Sequence, residues 1–355
     1  MTPARTSRRQ APGGFTLVEL MVGLAVGLFV ALAAISIFVS TRTLQVVSTA
    51  GTRMSENSRL AMDLLHKDLR SAGFLGCRSQ LADPPLNLLA AADRFLDTTS
   101  NAAGVRGSYG NGGAFTPALN ATLAALAPNV NSDFLSVRVP VEPLSLGLLV
   151  PMVSASGIPQ IGINTPGNNL ASGAIVLIAN CKAGAVFQVT DADPAGTGNL
   201  THAVGGVFSP GNISPDFGHV FRGDTAVYRL QTNHYYIAAG SHAGTNSLWR
   251  LSFPNPVNPL LAPVAEEVAE GIDRMLITYG VDTGNQTVSK YVSADSVTSW
   301  DGVVAVRVQL LSATVKDGVT MSPQAASFAG SSVIATDRRL RTQVTEVVTL
   351  RSHAP

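Results

Sequence analysis

Glu19 is the one ionisable side chain in the apolar run FTLVELMVGLAVGLFVALAAISIFV, Phe15 to Val39. A carboxylate inside a membrane-compatible run costs about 3 kcal/mol at mid-bilayer and less near the surface, so it reads as functional by default. The chemistry it offers is charge pairing. Other reactive residue types lack a productive spacing. The six histidines, His66, His202, His219, His234, His242 and His353, show no ligand pattern. Gly240-Ser241-His242-Ala243-Gly244 misses the nucleophile elbow by one offset, and GxxxxGK[ST], GxGxxG and HExxH are absent. Asp191-Ala192-Asp193-Pro194 and Asp282-Thr283-Gly284-Asn285 read as turns, because neither continues with further calcium ligands and a closing Glu. No catalysis, metal or cofactor is expected.

The run that carries Glu19 has 25 residues. As a helix rising about 1.5 Å per residue it spans a hydrocarbon core of roughly 30 Å. Arg5, Arg8 and Arg9 favour a cytoplasmic N-terminus, although Arg42, Arg53 and Arg59 on the far side make the asymmetry modest. A cleaved secretory signal at Ala31-Leu32-Ala33 is disfavoured by Glu19 and by the apolar residues beyond. Ser7-Arg8-Arg9 lacks the apolar residue that a twin-arginine signal places next. A plain anchor has no need of Glu19.

The whole chain of 355 residues is 46 % hydrophobic and 13 % charged, with 24 basic and 23 acidic side chains. A net charge of +1 argues against nucleic acid as a partner, and the positive mean hydropathy excludes a disordered chain. Residues 1 to 72 carry 8 basic and 4 acidic groups, leaving 16 and 19 for the rest. The remainder is therefore a mildly acidic, charge-poor body whose polar surface is Ser, Thr, Asn and Gly.

No proline occurs between Pro12 and Pro84, and Leu44, Val47, Met54, Ala61, Leu65 and Leu69 recur at helical spacing. Glu56 with Arg59, Arg59 with Asp63, and Asp63 with Lys67 are helix-compatible ion pairs. Gly51 weakens the middle of this helix and Gly73 terminates it. Beyond Gly73, strands are expected at Asp133–Pro140, Ala174–Ala179, Ala185–Thr190, Ala226–Gln231, His234–Ala239, Ser247–Phe253, Asp273–Gly280, Thr287–Val292, Val303–Ser312 and Arg341–Leu350. Thr232 and Asn233 suggest a hairpin turn. Thr99 to Asn131 and Pro151 to Asn169 read as loops. Arg338, Arg339 and Arg341 read as a solvated strand end or a partner-facing patch. Cys77 and Cys181 are too few for a disulfide scaffold. They can pair if the body lies outside the cytoplasm, closing a loop of about 100 residues worth up to roughly 4.7 kcal/mol; two buried free thiols are the alternative.

Gly14-Phe15-Thr16-Leu17-Val18-Glu19 resembles the signal of type IV pilins and type II secretion pseudopilins. The resemblance implies cleavage by a prepilin peptidase after Gly14, N-methylation of Phe15, and a register contact between Glu19 and the Phe15 amine of a neighbouring subunit. It also implies an α+β fold: one helix from Phe15 to Ala72, packed on a β-rich head. Gly23 and Gly27 permit close helix approach. Many major pilins carry a proline in the membrane half of this helix; this chain has none there.

Within that family, Asp68-Leu69-Arg70-Ser71-Ala72-Gly73-Phe74-Leu75-Gly76-Cys77 is similar to the post-helix signature of PilW-family minor pilins. So are Ile277-Thr278-Tyr279-Gly280-Val281-Asp282-Thr283, Tyr291, Trp300, Val304 to Leu311, and Arg338 to Arg341. The implied organisation is a leader 1–14, a transmembrane half-helix 15–39, a periplasmic half-helix 40–72, and a head 73–355 with an insertion-rich middle, 83–265. The implied role is priming of pilus assembly, and with it twitching motility and cell adhesion. Its partners would be other minor pilins, the major pilin and a tip-associated adhesin. The chain would sit in the inner membrane, head periplasmic, before entering the pilus. A J-type pseudopilin, and a membrane-anchored adhesin or ligand-binding module, are the alternatives.

Overall fold

A computed structural model of the chain describes residues 14, 16–74, 85–90, 104–144, 161–163, 170–222, 224–254, 258–282 and 287–350. Helix α1 runs Leu17–Ser71, as the proline-free stretch requires. The chain divides into two compact units, residues 1–50 and residues 51–355.

In the first unit, every side chain from Leu17 to Arg42 is exposed. This part of α1 is long and apolar enough to cross a membrane. With about 25 cal/mol lost per Å² of apolar surface left in water, such a cylinder calls for lipid or other helices around it.

In the second unit, α1 buries Met54, Ser58, Ala61, Met62, Leu65, Asp68 and Leu69, spaced by three and four residues on one face. The helix then stops: Ala72 N–H donates back to the Leu69 carbonyl at 3.2 Å, and Gly73 adopts φ 66°, a left-handed terminator.

The described residues after the helix form seventeen strands. The first nine are β1 (Leu86–Asn87), β2 (Val105–Gly110), β3 (Phe115–Thr116), β4 (Phe134–Leu144), β5 (Ile161–Gly162), β6 (Ile175–Ala179), β7 (Gly184–Gln188), β8 (Asn199–Leu200) and β9 (Ala226–Ala239). Then come β10 (Asn246–Phe253), β11 (Ala265–Glu270), β12 (Ile272–Val281) and β13 (Lys290–Val292). The last are β14 (Val303–Ala313), β15 (Ala325–Phe328), β16 (Ser331–Ile334) and β17 (Arg341–Thr349).

A nine-stranded sheet runs β1-β7-β6-β9-β4-β2-β3, with β10 on β9 and β11 on β10. A second sheet runs β13-β12-β14-β17. The chain passes from one to the other at Gly271, between β11 and β12. Gly271 has φ 71°, and a Cβ there would overlap the Ala313 carbonyl, so only glycine makes this crossing. One core unites α1 with both sheets: Leu65 and Leu69 pack with Leu135, Val137, Tyr235 and Ile237 from the first sheet and Met275, Ile277, Val306 and Val308 from the second. A second core lies wholly in the middle of the chain, with Ile161, Val176, Phe187, Leu200, Phe217 and Phe221 fully or almost fully buried.

The structure adds the short strands β1, β11, β15 and β16 and departs from the sequence expectations elsewhere as well. The turn at Thr232 and Asn233 does not form: β9 is one strand of 14 residues. Both residues are paired on either side, to Arg138 and Val137 of β4 and to Phe253 and Ser252 of β10. The residues 99–131 are not simply loop, since β2, β3 and a short helix, Ala121–Ala124, lie there. Part of 151–169 also pairs, with Ile161 and Gly162 opposite Leu200 and Asn199. Finally, two of the three clustered arginines, Arg339 and Arg341, are spent inside the head, while Arg338 is exposed. Arg341 donates to Asp273 Oδ2 at 2.7 Å and to both carboxylate oxygens of Asp337, at 2.6 and 2.8 Å, and Arg339 is buried. These bonds hold the Arg341 guanidinium even further above its ordinary range, with Asp337 the largest contributor. They clamp the start of β17 to the start of β12.

Candidate assembly interface

The helix start is built by Thr16 and Glu19. Thr16 N–H donates to Glu19 Oε2 at 3.0 Å and Thr16 Oγ1 donates to the same oxygen at 2.9 Å. Glu19 N–H donates to Thr16 Oγ1 at 3.3 Å. This reciprocal arrangement is a capping box, which satisfies donors that the first helical turn otherwise leaves open. The pattern Thr-x-x-Glu is a local signal in the sequence, and it gives Glu19 a capping role beside its charge. Oε1 of Glu19 makes no hydrogen bond within the described residues. One oxygen is thus held by its own chain and the other is free to meet a cation from elsewhere. Gly14 is exposed; Phe15, the expected new terminus, lies outside the described residues.

The second half of α1 is fastened to the head by polar contacts of Asn57, Ser58, His66 and Asp68 as well as by its apolar stripe. Asn57 Nδ2 donates to the Glu270 carbonyl at 3.1 Å, and Ser58 Oγ donates to Ser312 Oγ at 2.7 Å. His66 pairs with Glu346 of β17. Asp68 Oδ2 accepts from Asn233 Nδ2 at 2.5 Å and from Tyr235 Oη at 2.6 Å. Asn233 Oδ1 in turn accepts from Ser252 Oγ at 2.7 Å, carrying the network on to β10. Burial and the Asp68 carboxyl push the Tyr235 phenol far above its ordinary range, so it acts as a donor throughout. Of the stripe expected on α1, Leu44 is 70 % exposed, and the buried positions begin at Met54.

The remaining candidates for chemistry are accounted for locally. His202 packs against the Phe187 and Phe217 rings, its Nε2 2.8 Å from the Pro215 carbonyl, and burial lowers its proton affinity. His234 Nδ1 sits 2.7 Å from Ser136 Oγ. Asp193 caps the short helix Pro194–Thr197 by accepting from Gly196 N–H, and Asp191 accepts from Asp193 N–H. Among the described residues no group of three or more His, Cys, Asp or Glu is placed to hold a metal ion. Cys181 is half-buried in the turn after β6; Cys77 and His353 lie outside the described residues.

A long apolar helix that opens on a capped carboxylate and continues into a β-rich head is a pilin-like α+β architecture. Residues 234–352 match the family described as type IV pilus-assembly protein W, PilW. Residues 9–35 match the prokaryotic N-terminal methylation motif. The two matches, at opposite ends of the chain, support its assignment as a PilW-family type IV pilin. No match to a curated protein or to a solved structure was found. The second core and most of the nine-stranded sheet fall between the two matched segments.

Proposed function

We propose that this pilin is a minor one, with no catalysis of its own, that helps to start pilus assembly near the filament tip beside other minor pilins and the major pilin. Prepilin peptidase would cut between Gly14 and Phe15, leaving the head periplasmic and the leader cytoplasmic. The observation that carries the reading is the half-satisfied Glu19. Its Oε2 is held by Thr16, which lowers the cost of carrying the carboxyl in an apolar surrounding before assembly. Its Oε1 is open to the Phe15 amine of a neighbour, and a buried charge is tolerated once so paired. Glu19→Ala is expected to leave cleavage and membrane insertion intact while cutting the amount recovered in sheared pili at least tenfold. Quantitative blotting of cells and sheared filaments checks this, and wild-type recovery would sink the register role. Deletion of the gene separates the pilus reading from its secretion-system counterpart: twitching is expected to be lost and protein secretion to continue.

The proposal extends to Cys77 and Cys181, whose pairing would tie the chain just past α1 to the end of β6. Maleimide labelling of protein recovered from the periplasmic side is expected to modify neither thiol before reduction and both after it. Two reactive thiols without reductant would refute the pairing.

A further inference from the structure

The edges of a sheet can accept another strand, and proteins blunt them with short strands, charge, proline or bulges. Most edges in this head are blunted. β1 and β3 have two residues each, β13 has three and begins with Lys290, and β11 carries Glu266, Glu267 and Glu270. β17 is different. It closes the order β13-β12-β14-β17, runs nine residues, and pairs with β14 without a register shift. It holds neither proline nor lysine, and six of its residues are Thr or Val.

The ladder shows which of its backbone groups are open. Leu350 N–H donates to the Val304 carbonyl and Thr314 N–H to the Leu340 carbonyl, on the register that pairs β14 with β17. Antiparallel alternation then assigns the even-numbered residues of β17 to β14. Gln343, Thr345, Val347 and Thr349 direct N–H and C=O away from it, and no backbone partner elsewhere takes them among the described residues. The β15–β16 hairpin reaches only the beginning of this edge, where Ala329 N–H donates to Gln343 Oε1 at 3.1 Å. Val344 and Val348 face the core, whereas Thr345, Val347 and Thr349 stand exposed on the other face. The one carboxylate on this part of the strand, Glu346, is engaged by His66 Nδ1 of α1.

We propose that Thr345–Thr349 of β17 accepts an extended segment of another protein as a fifth strand of this sheet. Six unmatched backbone groups on three alternate residues call for a partner with the same spacing, which an extended strand supplies and a helix or a glycan does not. With its one carboxylate engaged by His66, the edge fits an uncharged, proline-free segment of about five residues, β-branched or apolar where it lies beside Thr345 and Val347. This contact goes beyond the assembly role proposed above and rests on it only for where the partner is met.

The test uses the full chain in cells that build the filament, with a benzophenone amino acid at position 345, 347 or 349 in turn. After illumination, the three labels are expected to join one segment of one other protein in steps of two residues. Val347→Pro removes an outward N–H without touching the β14 ladder, and should lower the adduct from position 345 at least tenfold, while Val347→Thr keeps it. Val347→Lys, which guards the edge without deleting a donor, gives the same reading if the proline variant fails to accumulate. Adducts only to lipid, to scattered sites or to a second copy of this chain would overturn the proposal, as would undiminished yield in both Val347→Pro and Val347→Lys. Loss of the chain from sheared pili with adducts intact would count against the assembly role alone.

Discussion

Asp68→Ala is expected to loosen the head from α1, lowering the stability of the full chain in detergent by about 3–5 kcal/mol. Asp68 is 7 % exposed, and Tyr235 is fully buried. Deleting the carboxyl strands the Tyr235 hydroxyl and one Asn233 N–H where water does not reach, and each orphaned donor costs about 1–3 kcal/mol. The loss propagates, because Asn233 is held from its other side by Ser252. Asp68→Asn keeps an accepting oxygen and should cost about half as much. Asp63→Ala supplies the contrast on the same helix. Its partner Arg59 lies 3.7 Å away, and both side chains are largely exposed, so the change should stay within about 0.5 kcal/mol. Urea unfolding followed by far-UV ellipticity reads all three, and equal midpoints for Asp68→Ala and Asp63→Ala would refute the buried clasp.

That contrast also shows what the sequence disclosed of the fold and what it withheld. The helix, its terminator Gly73 and most strands of the second sheet follow from local rules, because period and breakers act within a few residues. Thr232 and Asn233 do not. Their composition says turn, but Asp68 lies more than 160 residues away and satisfies the Asn233 amide inside a strand. Tertiary pairing overrides local preference here. β2 is hidden in the sequence for a related reason. Its Gly107 reads as a breaker, yet Tyr279 packs so close that a Cβ would overlap its hydroxyl, and the glycine serves the approach of two sheets. β11 has no alternation to betray it, since its carboxylates line an exposed edge.

The candidate site divides in the same way. Glu19 stood out because a carboxyl in an apolar run is conspicuous. The capping role beside it was equally legible in Thr16-Leu17-Val18-Glu19, which is a local pattern. Asp68 was legible only as part of a family-like segment, since nothing local separates a buried acid from a solvated one beside Leu65 and Leu69. The arginines near the C-terminus show the opposite error. A dense basic cluster suggests a surface, which holds for Arg338, but Asp273 and Asp337 are supplied from the start of β12 and from the turn before β17, and Arg341 turns inward with Arg339. Tyr279 and Trp300, also prominent in the family-like tail, meet edge to face at 4.8 Å and close the same core.

The two sheets are joined by Asp133, and this joint should make the head more stable in mild acid. Asp133 is buried; its Oδ2 accepts from Ile277 N–H at 2.7 Å and its Oδ1 from Gly110 N–H at 3.0 Å, while its own N–H donates to the Met275 carbonyl at 2.8 Å. Burial pushes its pKa up to about 6, against the two backbone donors, with a smaller push from Asp295. The neighbouring Tyr279 phenol is itself raised well above its ordinary range and stays neutral. A carboxyl whose folded pKa lies above its unfolded value binds its proton more tightly in the native state. The stability it contributes is fully present below about pH 4 and is lost as pH rises through about 6, a change of up to about 3 kcal/mol. Glu267, Asp317 and Asp337 are shifted the other way, so their stabilisation is lost only as pH falls below the ordinary carboxylate range. His202, whose proton affinity burial lowers, loses stability as pH falls over the same interval, so Asp133 is isolated by comparison with a variant that keeps His202. Asp133→Asn removes the titration and, with one accepting oxygen for two backbone donors, also strands a buried N–H. The difference in unfolding free energy between the native chain and Asp133→Asn should accordingly widen as pH is lowered from 7 to 4. Parallel profiles would mean that Asp133 ionises at its ordinary pH and that the sheets are joined without electrostatic strain.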